Sequence, residues 1–230
     1  LVAAVPQGEH VQPFTTAETM DAGWCWRIPV RGEDHRGYVF SSAFLSEDAA
    51  AGEMRAKNPG MAEPWLVRFR SGRHRDFWLG NTVAIGNAYG FVEPLESTAL
   101  HMVIVEIGYL LAGLDALGGP RDDGEFPAFA SEAVGAHWDY LRWFLGVHYR
   151  FNRRLDTPFW TTARAETDVS GLAEQLARYE RTGPWVTDGG RRHETGDAVF
   201  GYRGLMMMLL GQRVAAPAAL PACTVVMEPG

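Results

Sequence analysis

The most constraining feature of the sequence is a short apolar run that leads through two glycines into a long apolar helix. Val83-Ala84-Ile85 predicts a buried strand, and Gly86 and Gly90 mark the turn that follows it. Glycine permits a positive φ and lets a ligand approach the backbone closely. From Leu95 onward, apolar residues recur at three- and four-residue steps, which is the period of a helix. The stretch therefore predicts a strand–turn–helix unit.

Local chemistry leaves the purpose of this unit open between two interpretations. The first turn of a helix presents N–H groups without partners and carries a partial positive charge, so it suits an anion or an electron-rich ring. An ordinary structural turn, with Ser97 or Thr98 as the N-cap of the helix, explains the same residues equally well.

Strand patterns fill the first part of the chain. Apolar and polar residues alternate over Trp24–Ile28, with the period of a strand, and Tyr38–Ser42 predicts its partner in a hairpin. Leu66–Phe69 and Phe77–Leu79 flank a glycine-bearing turn and predict a second hairpin.

Helical patterns dominate the rest of the chain. Ser46 predicts the N-cap of a short helix that runs to Lys57. The apolar run Ala99–Leu117 is interrupted by three polar side chains, so it predicts a buried helix and not a membrane span. Three further helices are expected, at residues 129–147, 169–181 and 202–210. An aromatic connector joins the first two of these helices.

Composition narrows the classes of function. The chain of 230 residues has a formal net charge of −7, so a nucleic-acid binder with a basic surface is not expected. Cys25 and Cys223 are too few for a disulfide framework and fit reduced thiols in a cytoplasmic protein. His101 and His148 lack further ligands at metal spacing, so no metal site is expected. The first residues, Leu1–Pro6, look like a strand entered in mid-course, so we expect a longer parent protein.

Four blocks in order resemble the motifs of the flavin-dependent tryptophan halogenase family. Gly23–Pro29 is similar to its W-x-W-x-I-P motif, and Gly37–Ser42 to the G-Y-V-Y-S-S block that follows. Gly90–Thr98 is similar to the G-F-x-E-P-L-E-S-T block. His148-Tyr149 with Arg154–Trp160 resembles the last block, H-Y followed by R-x-D-T-P-F-W. The blocks span Phe14–Trp160, about two thirds of the chain.

The resemblance implies a fold and a division of the chain. The predicted class is α+β. The β-rich first part, residues 1–117, would complete an FAD-binding monooxygenase-like α/β domain, and a mainly helical region, residues 118–230, would cover the substrate pocket. The family's glycine-rich dinucleotide-binding motif and its catalytic lysine would lie upstream of Leu1.

The resemblance also implies a reaction of secondary metabolism. Reduced FAD from a separate flavin reductase, O₂ and chloride or bromide would give hypohalous acid. A lysine would then deliver the halogen to an electron-rich aromatic small molecule such as tryptophan or another indole. The implied enzyme is cytoplasmic, with no nucleic-acid or membrane partner, and a homodimer is left open.

By matching positions, the resemblance assigns four roles to residues of this chain. Glu96 and Ser97 would be catalytic, with Glu96 beside the substrate and Ser97 linking the flavin side to the substrate side. The amides of Thr98 and Ala99 would hold the chloride. The residues that contact the flavin would be Gly86, Asn87, Gly90 and Leu100. The residues that keep the substrate from lying over the flavin would be Trp24 and Trp26.

Two departures from the family pattern stand out. Ala99 occupies a position where the best-known tryptophan halogenases have glycine, so a positive φ there would cost free energy. The only lysine of the chain is Lys57, which the sequence places as a solvated cation at a helix end. We therefore expect this chain alone to bind flavin poorly and to be inactive.

Two other functions remain in competition. A related flavin-dependent hydroxylase or epoxidase would use the same strand–turn–helix unit but would not need the W-x-W-x-I-P block. A non-catalytic module that binds an aromatic ligand would need neither flavin nor halide.

Overall fold

The computed structural model describes residues 1–6, 11–116, 124–185 and 200–216, which form two compact units. The first unit comprises Leu1–Phe69 and Asn152–Thr167, and the second comprises Arg70–Phe151 and Asp168–Gly230. Strands predominate in the first part of the chain and helices in the rest, which confirms a mixed fold with both types of element. The predicted domain boundary at residues 117 and 118 lies outside the described residues, as does Cys223.

The first unit is built on a four-stranded antiparallel sheet. Its strands are β1 (Val2–Pro6), β2 (Thr16–Met20), β3 (Gly23–Val30) and β4 (Glu33–Phe40). The strand order is β1-β4-β3-β2, so the central pair is the predicted hairpin. The strand β3 continues past Ile28, the last residue of the predicted alternation, to Val30.

An indole packed over a glycine explains one part of the central hairpin. Trp26 on β3 lies opposite Gly37 on β4. A Cβ built on Gly37 would lie 1.9 Å from the Trp26 ring, so only glycine leaves room for that ring. The motif residues Trp26 and Gly37 are therefore one packing unit.

The helix α1 (Glu47–Lys57) covers one face of this sheet. Ser46 caps it as predicted, since its Oγ accepts a hydrogen bond from the amide of Ala49 at 3.3 Å. Asn58 ends it and donates its side-chain amide to Met54 O at 2.9 Å. The core beneath α1 is a cluster of buried side chains from the sheet and the helix, which are Leu1, Ala3, Met20, Cys25, Tyr38, Ala50, Ala51 and Met54. Burial raises the pKa of the Cys25 thiol to about 11, so this free cysteine stays protonated.

The segment 152–167 returns to the first unit and contains a helix that the sequence analysis missed. The stretch expected as an aromatic connector includes α4 (Pro158–Glu166), with Thr157 as N-cap and proline at its first position. Thr157 Oγ1 donates to Asp21 O at 2.6 Å, and Trp160 Nε1 donates to Met20 O at 2.7 Å. The D-T-P-F-W block therefore fastens α4 to the end of β2.

The second unit opens with short strand pairs that differ from the predicted second hairpin. The strand β5 (Gly72–Arg73) pairs with β8 (Gly90–Phe91), and β6 (Trp78–Leu79) pairs with β7 (Thr82–Val83). The hairpin between Leu66–Phe69 and Phe77–Leu79 is therefore wrong. These two-residue pairings depend on contacts with helices: Arg73, for example, forms two hydrogen bonds with Asp139, at 2.9 and 3.1 Å.

Four helices complete the described part of the second unit, and three of them extend past at least one predicted end. They are α2 (Ala99–Ala116), α3 (Glu125–Arg150), α5 (Ala173–Thr182) and α6 (Gly201–Gly211). The helix α3 starts earlier and ends later than predicted, and α5 follows a separate single turn at Ser170–Leu172.

The helix α2 corrects the expectation of a buried apolar helix. Only 22% of the most apolar 18-residue stretch within Leu95–Asp115 is buried. By length and composition alone, this segment is long and apolar enough to cross a membrane. Its outward stripe follows steps of four and three residues and consists of Leu100, Ile104, Ile107, Leu111 and Leu114. The inward face carries a charged residue instead, Glu106, with no exposed surface.

Candidate functional site

The turn before α2 has an unusual backbone. A single helical turn, Leu95–Ser97, precedes α2, and two of its residues adopt left-handed conformations. The φ angles of Glu96 and Ser97 are 64° and 52°, although neither residue is glycine. Each such residue costs on the order of 1 kcal/mol and is kept only where surrounding contacts enforce it. The predicted continuous helix from Leu95 is therefore wrong, and two of the three described non-glycine residues with a positive φ are those matched to catalytic roles.

A histidine on α3 holds the carboxylate of Glu96. His148 Nε2 lies 2.9 Å from Glu96 Oε1, and His148 Nδ1 lies 3.2 Å from the carbonyl oxygen of Leu145. A carbonyl oxygen and a carboxylate oxygen only accept, so each contact is a hydrogen bond when the ring nitrogen that faces it donates an N–H. The hydrogen bond from His148 lowers the pKa of Glu96, against the opposing effect of partial burial. Glu96 is thus favoured as a carboxylate.

The next residue of α3 forms a similar contact with a second glutamate. Tyr149 follows His148 on α3, and its hydroxyl donates to Glu93 Oε2 at 2.6 Å. Glu93 precedes the strained turn and Glu96 lies within it, so two consecutive residues of α3 contact the turn and the segment before it. The H-Y block and the E-P-L-E block, which lie more than 50 residues apart in sequence, therefore meet in the second unit.

The start of α2 is the predicted halide position. Thr98 O accepts a hydrogen bond from the amide of Met102 at 3.0 Å, which begins the helical ladder. The amides of Ala99 and Leu100 therefore belong to the first turn, which has no acceptor within the helix. Ala99 is helical and is not among the described residues with positive φ, so the expected cost of alanine there does not arise. The left-handed conformations occur two and three positions earlier.

The four residues matched to flavin contact differ in their surroundings. Gly86 has the expected positive φ, of 61°, and opens a short helical turn, Gly86–Ala88. Asn87 in that turn is exposed, and no described residue forms a hydrogen bond with its side chain. Leu100 is 78% exposed. Gly90 is buried, and a Cβ there would meet Arg73 at 3.0 Å and the Trp138 ring at 3.3 Å. Internal packing alone thus explains the glycine at position 90.

One buried residue beside this turn was not identified from the sequence. Glu106 Oε2 accepts a hydrogen bond from the Gly86 amide at 2.5 Å, and Oε1 accepts one from Trp138 Nε1 at 2.9 Å. Burial raises the pKa of Glu106, and these two hydrogen bonds oppose the rise. The only sequence signal was a lone acidic residue in an apolar helix, which we treated as an interruption.

Trp24 and Trp26 lie in the first unit, on β3. Trp24 is buried, and Trp26 is half-buried across Gly37. Their arrangement shows well-packed aromatic side chains, and their predicted role in substrate gating remains a prediction.

Lys57 is exposed in the last turn of α1, as expected, and it also has partners there. Its Nζ lies 3.1 Å from Glu18 Oε1 and 3.3 Å from Thr19 O, so it ties the end of α1 to β2. A lysine committed to a surface ion pair is a poor match for a lysine that activates halogen, which agrees with leaving it unassigned.

Comparison with known proteins gives one consistent result. The family model for tryptophan halogenases matches residues 1–228. The chain is 36% identical over 173 residues to tryptophan 7-halogenase RebH of Lentzea aerocolonigenes, which covers 74% of this chain and 32% of that protein.

Solved structures agree in fold. MibH, a lanthipeptide tryptophan 5-halogenase, superposes with a TM-score of 0.83 at 45% identity, over 94% of this chain and 42% of that one. BrvH, a flavin-dependent halogenase from Brevundimonas sp. BAL3, superposes with a TM-score of 0.79 at 30% identity, over 96% of this chain and 44% of that one. The chain spans about a third of the length of the curated relatives that it matches.

Proposed function

The chain belongs to the tryptophan halogenase family, and on that premise we propose that it supplies the halide and substrate side of a flavin-dependent aryl halogenase. The observation that carries this proposal is the left-handed pair Glu96–Ser97 immediately before the start of α2. Backbone strain of this kind concentrates at functional sites. The carboxylate of Glu96 in this turn contacts His148 on α3, and the next two residues, Thr98 and Ala99, lie at the start of α2.

The helix start is suited to hold a halide ion. The amides of Thr98 and Ala99 stand where the first turn of α2 begins, and the partial positive charge of the helix favours an anion there. Glu96 would repel that anion if its carboxylate turned toward the same amides. Within the described residues the carboxylate bonds to His148 on α3 instead, which separates the two negative charges.

Glu96 is the base of the proposed reaction. A ring carbon that gains a halogen passes through a cation, and it must then lose a proton to restore aromaticity. An ionised carboxylate close to that carbon stabilises the cation and accepts the proton. The contact with His148 favours the ionised form that both tasks require. Ser97 would link the flavin side of the turn to the substrate side.

Reduced FAD, delivered by a separate flavin reductase, would supply the chemistry that converts O₂ and chloride or bromide to hypohalous acid. The residues present fit such a group: the left-handed Gly86 lets it approach the backbone, and Asn87 and Leu100 offer an exposed amide and an exposed apolar surface. Both backbone groups of Gly86 are already engaged, by Glu106 and by the amide of Tyr89. Gly86 would therefore shape the contact, and Asn87 would form it.

We also propose that further polypeptide completes the enzyme. The apolar stripe of α2 is exposed at five positions, and leaving such a stripe in water is unfavourable. The matched relatives are about three times as long as the segment they share with this chain. Residues of the remaining part of a complete halogenase would cover the stripe and supply the lysine that Lys57 cannot replace. The proposed enzyme is cytoplasmic and acts on an aromatic small molecule.

The decisive experiment is a halogenation assay on the complete protein that contains this chain. The protein is incubated with FAD, a flavin reductase, O₂ and either chloride or bromide. The candidate substrates are tryptophan, indole and a peptide that contains tryptophan, and mass spectrometry detects halogen by its isotope pattern. A halide-dependent halogenated product supports the proposal. A hydroxylated product without halogen would favour the hydroxylase, and failure to bind FAD would favour a non-catalytic module.

The matched pair Glu96→Gln and Glu93→Gln tests the role of the base. Both substitutions remove a carboxylate charge from the same turn. We expect Glu96→Gln to lower kcat by about 100-fold or more, as for the loss of a general base, and Glu93→Gln to have a much smaller effect. Equal losses would show that the turn needs both carboxylates for its shape and would remove the argument for Glu96 as the base.

A further inference from the structure

The interior of α2 contains a charge where an apolar side chain is usual. Glu106 has no exposed surface, whereas Leu100, Ile104 and Leu111 on the opposite face are 78%, 68% and 60% exposed. A buried carboxylate is costly unless its oxygens accept hydrogen bonds. Both oxygens of Glu106 do so, one from the backbone of Gly86 and the other from the side chain of Trp138.

These two bonds connect three elements of the second unit. Glu106 lies on α2, Gly86 opens the turn Gly86–Ala88, and Trp138 lies on α3. The turn is also closed on itself, because Gly86 O accepts a hydrogen bond from the amide of Tyr89 at 2.9 Å. A Cβ on Gly86 would lie 2.9 Å from a Val103 methyl group, so the turn lies directly against α2.

We infer that Glu106 is the positioning residue that fixes the flavin-contacting turn on α2. It acts through the Gly86 amide and thereby sets where Asn87, the next residue, presents its exposed side chain. This inference rests on the proposed function for the identity of the ligand, but the anchoring of the turn does not depend on that identity.

The chemistry of the site explains why the residue is a glutamate. Both neighbours of its carboxylate are donors, so a group with two acceptor oxygens matches them. A leucine would fill the space but leave the Gly86 amide buried without a partner. A glutamine accepts at one oxygen only and sets its own N–H₂ against the second donor.

The experiment compares Glu106→Leu with Trp138→Phe in the complete enzyme. Glu106→Leu removes both hydrogen bonds of the carboxylate, whereas Trp138→Phe removes only the bond from the indole and leaves the Gly86 amide bound. We expect Glu106→Leu to weaken FAD binding by on the order of ten-fold, measured by titration, and Trp138→Phe to change it less than two- to three-fold. The KM for the aromatic substrate should change little in either variant.

The double variant Glu106→Gln with Trp138→Phe provides a rescue. With the indole N–H removed, the glutamine oxygen is free to accept from Gly86, so we expect the double variant to bind FAD more tightly than Glu106→Gln alone. Equal weakening in Glu106→Leu and Trp138→Phe, or no rescue, would show that Glu106 merely fills the core and would overturn the inference.

Hydrogen exchange on the chain without flavin separates this inference from the proposed function. We expect Glu106→Leu to speed exchange of the Gly86 amide, whereas Trp138→Phe leaves it close to the wild-type rate. Faster exchange together with no FAD binding by the wild type would keep the anchor and reject the flavin site. Unchanged exchange in Glu106→Leu would reject the anchor whatever the ligand is.

Discussion

The sheet of the first unit and the helix α2 of the second unit distribute polarity in opposite ways. In the sheet unit, Met20, Tyr38 and Met54 are buried between the sheet and α1, and most charged residues lie outside. In α2, the apolar stripe from Leu100 to Leu114 faces outward, and Glu106 faces the interior. Both segments are rich in apolar residues, so composition does not distinguish them.

The difference teaches that the two regions obtain their stability in different ways. The sheet unit buries its own apolar surface, which is the ordinary source of folding free energy. The helix α2 leaves much of its apolar surface exposed, and its inward face carries the carboxylate of Glu106 as well as the buried apolar side chain of Met102. The outward face of α2 is an exposed apolar surface, whereas the sheet and α1 enclose a shared apolar core.

The largest expected effect is on the free energy of unfolding, when one side chain in each region is truncated to alanine. Met54→Ala removes a fully buried side chain beneath the sheet, so we expect it to lower the free energy of unfolding by about 2–5 kcal/mol. Leu111→Ala on the exposed stripe should change it by less than about 0.5 kcal/mol. Urea denaturation of the chain measures both, and similar losses would show that the stripe is already covered.

A glycine substitution probes the packing of the sheet itself. Gly37→Ala forces the Trp26 ring to move, since the new Cβ would lie 1.9 Å from it, and we expect a loss of about 1–3 kcal/mol. Gly52→Ala on α1 is the matched control: a Cβ there meets nothing within 4 Å, and the change should stabilise the helix by about 0.5–1 kcal/mol. An unfolding free energy unaffected by Gly37→Ala would contradict the packing of Trp26 over Gly37.

A smaller effect is expected from acid, at the strained turn of the second unit. His148 lowers the pKa of Glu96 below its ordinary value of 4.5, so the contact stabilises the fold above that value. The stabilisation is lost as the pH falls through the lowered pKa of the folded state. His148→Phe should therefore cost up to about 1 kcal/mol at neutral pH, because both side chains contact solvent, and progressively less in strong acid.

Denaturation curves at several pH values measure this difference, with Tyr149→Phe as the control. That variant keeps the contact between His148 and Glu96, so the acid-sensitive part of stability should remain in it. A cost of His148→Phe that does not vary with pH would mean that the histidine acts through packing alone.

The smallest expected effect is a gain in stability at Ser97. Glycine tolerates the φ of 52° without a clash at Cβ, so Ser97→Gly should raise the free energy of unfolding by less than about 1 kcal/mol. Ser97→Ala keeps the Cβ and should give no such gain. If the strain serves the reaction, the complete enzyme with Ser97→Gly should be more stable but slower. Equal stabilisation by both substitutions would show that the Ser97 backbone is not strained.

Local patterns predicted the elements whose signals are local. The alternation in Trp24–Ile28 predicted β3, and Ser46 and Asn58 set the ends of α1, because capping depends on neighbouring residues only. The order of the four motif blocks predicted the family. Thr157 and Pro158 also carried a start signal for α4, which we overlooked among the aromatic residues around it.

Local patterns did not predict contacts between residues that are distant in sequence. The strand β5 is two residues long and pairs with Gly90–Phe91, which was expected to be part of a turn. The strand β6 pairs with Thr82–Val83, so the strand predicted at Val83–Ile85 begins earlier and ends at Val83. The left-handed backbone of Glu96 and Ser97 has no local signal either, since nothing in their residue types favours it. His148 and Tyr149 lie 52 and 56 residues further along the chain than Glu96 and Glu93, and their contacts with these residues help to hold that turn.

The sequence by itself determined the family, the hairpin of the sheet unit and the stretch in which the site lies. Only the tertiary structure decided that Glu96 and Ser97 are strained, that His148 holds Glu96, and that Glu106 anchors the turn at Gly86. The physical reason is range. Periodicity and capping act over one or two helical turns, whereas a buried carboxylate and a strained turn are stable only when residues distant in sequence supply the hydrogen bonds that hold them.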